Sequence, residues 1–173
     1  RVTALRARIE QRFHHRVHDR DVDAAGTLTV RRPDRLRLLY ADGRGLSIEG
    51  ATYRAFEPSD AGLVHEGTLP DEAILDLLGV LAGATRVGDA FDVRALSPRA
   101  EGEVLEVRPR ARSARWDRAL LLVAADGSIS SLLVVDPTGS WLRLRLFDVE
   151  YPRSMPSGEL TLPVPDGATV VAP

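Results

Sequence analysis

Three of the chain's four histidines, His14, His15 and His18, lie within five residues of one another, and they are its densest group of metal-ligating side chains. Imidazoles four residues apart share a helix face and can chelate a metal, as His14 and His18 would if this stretch were helical. No neighbouring cysteine or carboxylate completes a ligand shell and His65 is distant, so strand or helix histidines are expected rather than a metal site. Serines occur, but none sits in a nucleophile-elbow context. The run Asp42-Gly43-Arg44-Gly45 lies between strand-like stretches, lacks a third glycine and opens no helix, which makes it a hairpin turn rather than a phosphate cradle. No catalytic machinery and no cofactor are expected. Arg32 is the more informative charge. Strand parity puts it on the apolar side with Leu28 and Val30, just before Pro33. Two readings are open for it: the guanidinium snorkels to water at the strand end, or it latches onto another element.

The chain that must position these residues has 173 residues, 44% of them hydrophobic and 28% charged, which suits one globular domain over 1–173. All 23 basic residues are arginines, scattered among 25 acids, for a net charge of -2. A nucleic-acid binder would concentrate positive charge, so nucleic acid is not an expected partner. The absence of cysteine removes disulfides, thiolate metal sites and thiol nucleophiles. The most apolar window, Ala73 to Ala84, contains Asp76 and is too short to span a bilayer, so a water-soluble chain is expected.

Val2, Leu5, Ile9 and Phe13 recur at helical spacing and predict an N-terminal helix over Val2–Phe13. The period then becomes two: Leu28 and Val30 alternate with threonines and Arg31, and Leu36, Leu38 and Tyr40 with Arg35 and Arg37. Short turns at Arg32-Pro33-Asp34, Ala41-Asp42-Gly43 and Glu49-Gly50 require neighbouring strands to be antiparallel, giving a meander. Between Thr68 and Gly83 the pattern is helical. Ile74, Leu77, Leu78 and Leu81 form a stripe that Leu75, Val80 and Ala82 widen, so the helix Pro70–Ala82 must be buried on more than one side. Strands return around Phe91, Val104–Val107, Leu120–Ala124 and Ile129–Val135, with Ala125-Asp126-Gly127 as a hairpin turn. Leu142, Leu144 and Leu146 alternate with arginines before parity switches at Phe147, Val149 and Tyr151, the mark of a bulge or of a doubly covered strand. Arg108–Arg118 reads as a solvated loop.

From Phe13 onward the order of motifs resembles the LolA family of periplasmic outer-membrane lipoprotein carriers. Phe13-His14-His15-Arg16-Val17 is similar to the family's first strand, and the stretch from Gly26 to Leu36, with Arg31-Arg32-Pro33-Asp34 at its turn, to its most recognisable motif. Ala124–Ile129 resembles its late hairpin and Leu160–Val170 its terminal strand with proline and glycine. The resemblance implies an α+β, mainly β fold: an incomplete, strongly curved antiparallel barrel whose helical lid encloses an apolar cavity. It also implies a periplasmic location, and a monomer is expected. Acylated lipoproteins would be its cargo, an inner-membrane lipoprotein-releasing transporter its donor, and an outer-membrane protein its acceptor. In the family the arginine of the basic-Arg-Pro turn bonds to the lid, and Arg32 holds that position. The chain departs from the family at Thr29, where an aromatic is usual, and at His15, where glutamine is usual.

On this reading the acyl-chain cavity is lined by Leu28, Val30, Leu36, Leu38, Leu46, Ile48, Leu142, Leu144 and Leu146 from the sheet, facing Ile74, Leu77, Leu78 and Leu81 from the lid. A carrier, acceptor or sensor of the same fold for another lipid is the alternative. An enzyme with a dispersed site would need a polar pocket instead.

Overall fold

The computed structural model describes residues 4–32, 34–59, 62–69, 77, 80–81, 86–110 and 115–172. Twelve strands account for most of them: β1 (Ala4–His15), β2 (Arg20–Arg31), β3 (Arg35–Tyr40), β4 (Gly45–Glu49), β5 (Thr52–Phe56), β6 (Leu63–Thr68), β7 (Phe91–Ala95), β8 (Glu103–Pro109), β9 (Arg118–Val123), β10 (Ile129–Val135), β11 (Trp141–Glu150) and β12 (Thr169–Val171). They form one sheet in the order β12-β6-β5-β4-β3-β2-β1-β11-β10-β9-β8-β7, with β12 and β7 at its ends. By contact the chain divides into two compact units. Arg1–Arg8, Ala25–Ala84 and Asp148–Pro173 form the first, and Ile9–Ala24 and Thr85–Phe147 the second.

The expected N-terminal helix is instead β1. Leu5, Ala7 and Ile9 are buried while Arg6, Arg8 and Glu10 are not, a strict period of two. The small apolar surface of Ala7 hid that alternation, and the chance spacing of Val2 and Phe13 suggested a helix. The meander from β2 to β6 is antiparallel throughout. β12 departs from it by pairing parallel to β6, Val170 opposite Val64. A long connection from β11 permits this where a tight turn would not. Asp148 lies in the left-handed region at φ 51°, at the point in β11 where the alternation changes parity.

The helix expected over Thr68–Gly83 falls mostly outside the described residues, and Ile74 and Leu78 with it. Leu77, Val80 and Leu81 are helical and buried. The solvated loop expected over Arg108–Arg118 is corrected at two of its described parts. β8 runs through Pro109, and Trp116 is 2% exposed, its ring edge-on to Phe91 at 5.6 Å between centroids.

Aspartates close the hairpins by accepting from backbone N–H groups two residues on. Asp42 takes Arg44 N–H at 3.1 Å, and Asp126 takes Ser128 N–H at 2.9 Å. Asp136 accepts from Thr138 N–H (2.8 Å), the Thr138 hydroxyl (2.7 Å) and Ser140 N–H (3.0 Å) between β10 and β11. Burial pushes its carboxyl up, but the Thr138 hydroxyl and the N–H groups of Thr138, Ser140 and Gly139 outweigh that and hold it below the usual range. A folded-state pKa below the unfolded one gives stability that is full above the ordinary carboxylate value and is lost as pH falls through the folded value. Asp136→Asn is therefore expected to flatten the acid side of the stability curve, from the ordinary carboxylate range downward. Denaturant titrations across that range check this, and parallel curves for parent and variant would contradict it.

Candidate functional site

The first unit carries the apolar constellation expected from the sequence on one face of β2–β4. Leu28 pairs with Leu38, and Leu38 with Leu46. Val30 pairs with Leu36, and Leu36 with Ile48. Directly opposed residues of antiparallel strands point the same way, so all six share a face. Leu28, Val30, Leu36 and Ile48 are at most 6% exposed, whereas Leu38 and Leu46 are half-buried. Leu77 and Leu81 are buried in the same unit. Leu142, Leu144 and Leu146 belong to the second unit, on one face of β11, where Leu144 opposes Leu132 and Leu142 opposes Val134. The structure thus groups the sheet candidates as six and three.

Arg32 departs from expectation. β2 ends at Arg31, so Arg32 is a half-buried turn residue and strand parity does not set its direction. Two strand arginines nearby reach main-chain carbonyls. Arg31 donates to the Met155 carbonyl at 3.4 Å and Arg37 to that of Thr161 at 3.2 Å.

Those contacts reveal a cover that the sequence reading missed. The segment from Met155 to Ala168 lies on the other face of β3–β6, where Leu162 packs with Phe56, Val64 and Ala168. A Cβ on Gly45 would run into the end of the Leu162 side chain, which would have to turn aside, so the glycine lets Leu162 pack directly on β4. Arg6 hydrogen-bonds both Glu159 and Glu150, the first of which does most to raise its pKa. A cleft of about 450 Å³ remains on this face. The paired charges Arg35 with Glu49 and Arg54 with Glu66 line it from the sheet, and Leu160, Leu162, Val164 and Val170 from the segment. The only hint in the sequence was the arginines of one strand parity, Arg31, Arg35 and Arg37, which needed acids or carbonyls opposite.

In the second unit His14 Nδ1 lies 2.7 Å from Asp21 Oδ1, a carboxylate the sequence reading passed over, and the ring stacks on Trp141 at 5.4 Å. His15 and His18 are 4.4 Å apart. Among the described residues no group of three or more histidines, cysteines or acids is placed to hold a metal, and no helix is long and apolar enough to cross a membrane.

No protein-family model matches the chain, and no curated protein matches it in sequence. Solved structures do match. A conserved uncharacterized protein from Thermus thermophilus aligns over 99% of this chain and 91% of its own, with TM-score 0.61 and 11% identity. A domain described as outer membrane lipoprotein-sorting, from Vibrio parahaemolyticus, aligns over 92% of this chain and 90% of its own, with TM-score 0.51 and 7% identity. A LolA superfamily protein from Nitrosomonas europaea aligns over the same shares, with TM-score 0.49 and 12% identity. At such identities the likeness is one of fold alone: this mainly β chain shares the architecture of the Thermus protein and of the Vibrio lipoprotein-sorting domain.

Proposed function

We propose that the chain is a periplasmic carrier that takes up the acyl chains of lipoproteins from an inner-membrane releasing transporter and hands them to an outer-membrane acceptor. Acyl-chain binding on the leucine face is the whole of its chemistry, and no bond is made or broken. The observation that carries this reading is the six-residue apolar face Leu28–Leu38–Leu46 and Val30–Leu36–Ile48, together with buried helical leucines in the same unit.

Each methylene exposed to water costs roughly 0.8 kcal/mol, so an acyl chain of about sixteen carbons resists crossing an aqueous space by on the order of 10 kcal/mol. The leucine face offsets that cost. The charge-lined cleft on the other side does so poorly, because an acyl chain there would lie across ion pairs. Four of the six face residues are already shielded from water, so cargo must displace whatever shields them. In this reading the shield is the helical lid over a strongly curved sheet. Its closure competes with cargo and assists release.

Protein purified under native conditions is expected to yield acylated lipoprotein or its acyl chains on extraction and mass spectrometry. A lipid without a polypeptide would shift the reading to a carrier of that lipid. A polar metabolite bound stoichiometrically would overturn it in favour of an enzyme.

A further inference from the structure

We propose that two copies of this chain pair antiparallel through the outer edge of β7, centred on Val93, so that Asp92 of each copy lies opposite Arg94 of the other. β7 ends the sheet, and among the described residues no strand pairs with its outer side. Asp92, Val93, Arg94 and Ala95 are all exposed, Val93 by 40%. Such an edge presents unpaired backbone groups and is usually protected against pairing by charge.

The backbone pattern determines which groups are free. Leu96 N–H donates to the Val104 carbonyl, continuing the ladder in which Arg94 opposes Glu106 and Asp92 opposes Arg108. Hydrogen bonding alternates along an antiparallel pair, so Asp92, Arg94 and Leu96 turn their main-chain groups toward β8. Phe91, Val93 and Ala95 turn theirs outward. Arg110 already reaches the Phe91 carbonyl at 3.5 Å and the Asp92 carboxylate at 3.4 Å, which leaves Val93 as the central open position.

A twofold axis at Val93 then satisfies both backbone and charge. Val93 of each copy exchanges N–H···O=C bonds with Val93 of the other. Asp92 and Arg94 fall at non-hydrogen-bonded positions, where facing side chains stand closest. Sliding the register by two residues would set Asp92 against Asp92 or Arg94 against Arg94, so the charges that discourage other pairings select this one. The sequence reading expects a monomer. A five-residue edge departs from that only as a weak dimer that salt loosens.

Sedimentation equilibrium of the full chain tests this. The parent is expected to show a monomer–dimer equilibrium below about 1 mM that weakens with added salt. Arg94→Asp and Asp92→Arg each set like charges across the interface and should weaken self-association by about tenfold or more. Mixed together, the two variants should dimerise with each other at about the parent affinity, because every facing pair is again opposite in sign. Val93→Pro removes only an outward N–H and should give a folded monomer by circular dichroism. A parent that stays monomeric, single variants that still self-associate, a mixture that does not associate, or a folded Val93→Pro that still dimerises would each overturn the proposal.

Discussion

Replacing Trp116 with alanine is expected to cost about 3–5 kcal/mol of stability, the range for removing a large aromatic from a close-packed core. Trp116 is 2% exposed and Phe91, on which it rests edge-on, is 1% exposed. Val107, Ala119 and Leu121 of the same unit are also at most 1% exposed, so the indole belongs to a unit whose interior is closely packed. The contrast is Arg6→Ala. Although Arg6 bonds two glutamates, its side chain is 42% exposed, and solvent screening keeps the expected cost far below that of Trp116→Ala. Urea unfolding of both variants checks the pair. If unfolding proceeds in two steps, the Trp116→Ala loss belongs to the step of the second unit. A loss for Trp116→Ala no larger than for Arg6→Ala would show that the indole is not a core residue.

Trp116 also marks where reading the sequence fails. Arginines at 108, 110, 112, 115 and 118 gave that stretch a solvated composition, and a single tryptophan among them carries no periodicity. Its burial depends on Phe91, which is remote in sequence. The leucine face was legible for the opposite reason. Leu28, Val30, Leu36 and Leu38 alternate locally, and the tight turn between them leaves only one register in which apolar residues oppose one another. The aspartate-glycine hairpins were legible too, since an aspartate can close a turn with its own neighbours. The direction of Arg32 was not legible from strand alternation. Parity holds only within a strand, and β2 ends one residue earlier, with Arg32 already in the turn. The covering segment Met155–Ala168 has proline, glycine and few periodic residues, and its partners Arg31, Arg37 and Gly45 lie over a hundred positions away. The pairing of Asp92 with Arg94 has no meaning until β7 is known to be an edge.

The second large effect decides which face of the first unit binds acyl chains. Leu38→Glu should weaken binding of an environment-sensitive apolar probe by about tenfold to a hundredfold, since an unpaired carboxylate turned toward apolar surface costs roughly 1–3 kcal/mol. Leu38 suits this because it sits between Leu28 and Leu46 on the leucine face yet is only half-buried, so the fold tolerates the change better than at Leu28 or Leu36. Val170→Glu is the matched control. Val170 lines the cleft on the other side and is 55% exposed, so a carboxylate there stays hydrated and should leave probe affinity within about twofold of the parent. Fluorescence titration of both variants, with circular dichroism to confirm folding, separates the two faces. If Val170→Glu loses the probe while Leu38→Glu keeps it, the acyl chain lies in the charge-lined cleft, and the leucine face is ordinary core that never opens. If each variant alone abolishes binding, the probe is reporting a general loosening of the unit, and hydrogen exchange should then show the amides of β3 and β4 less protected in both.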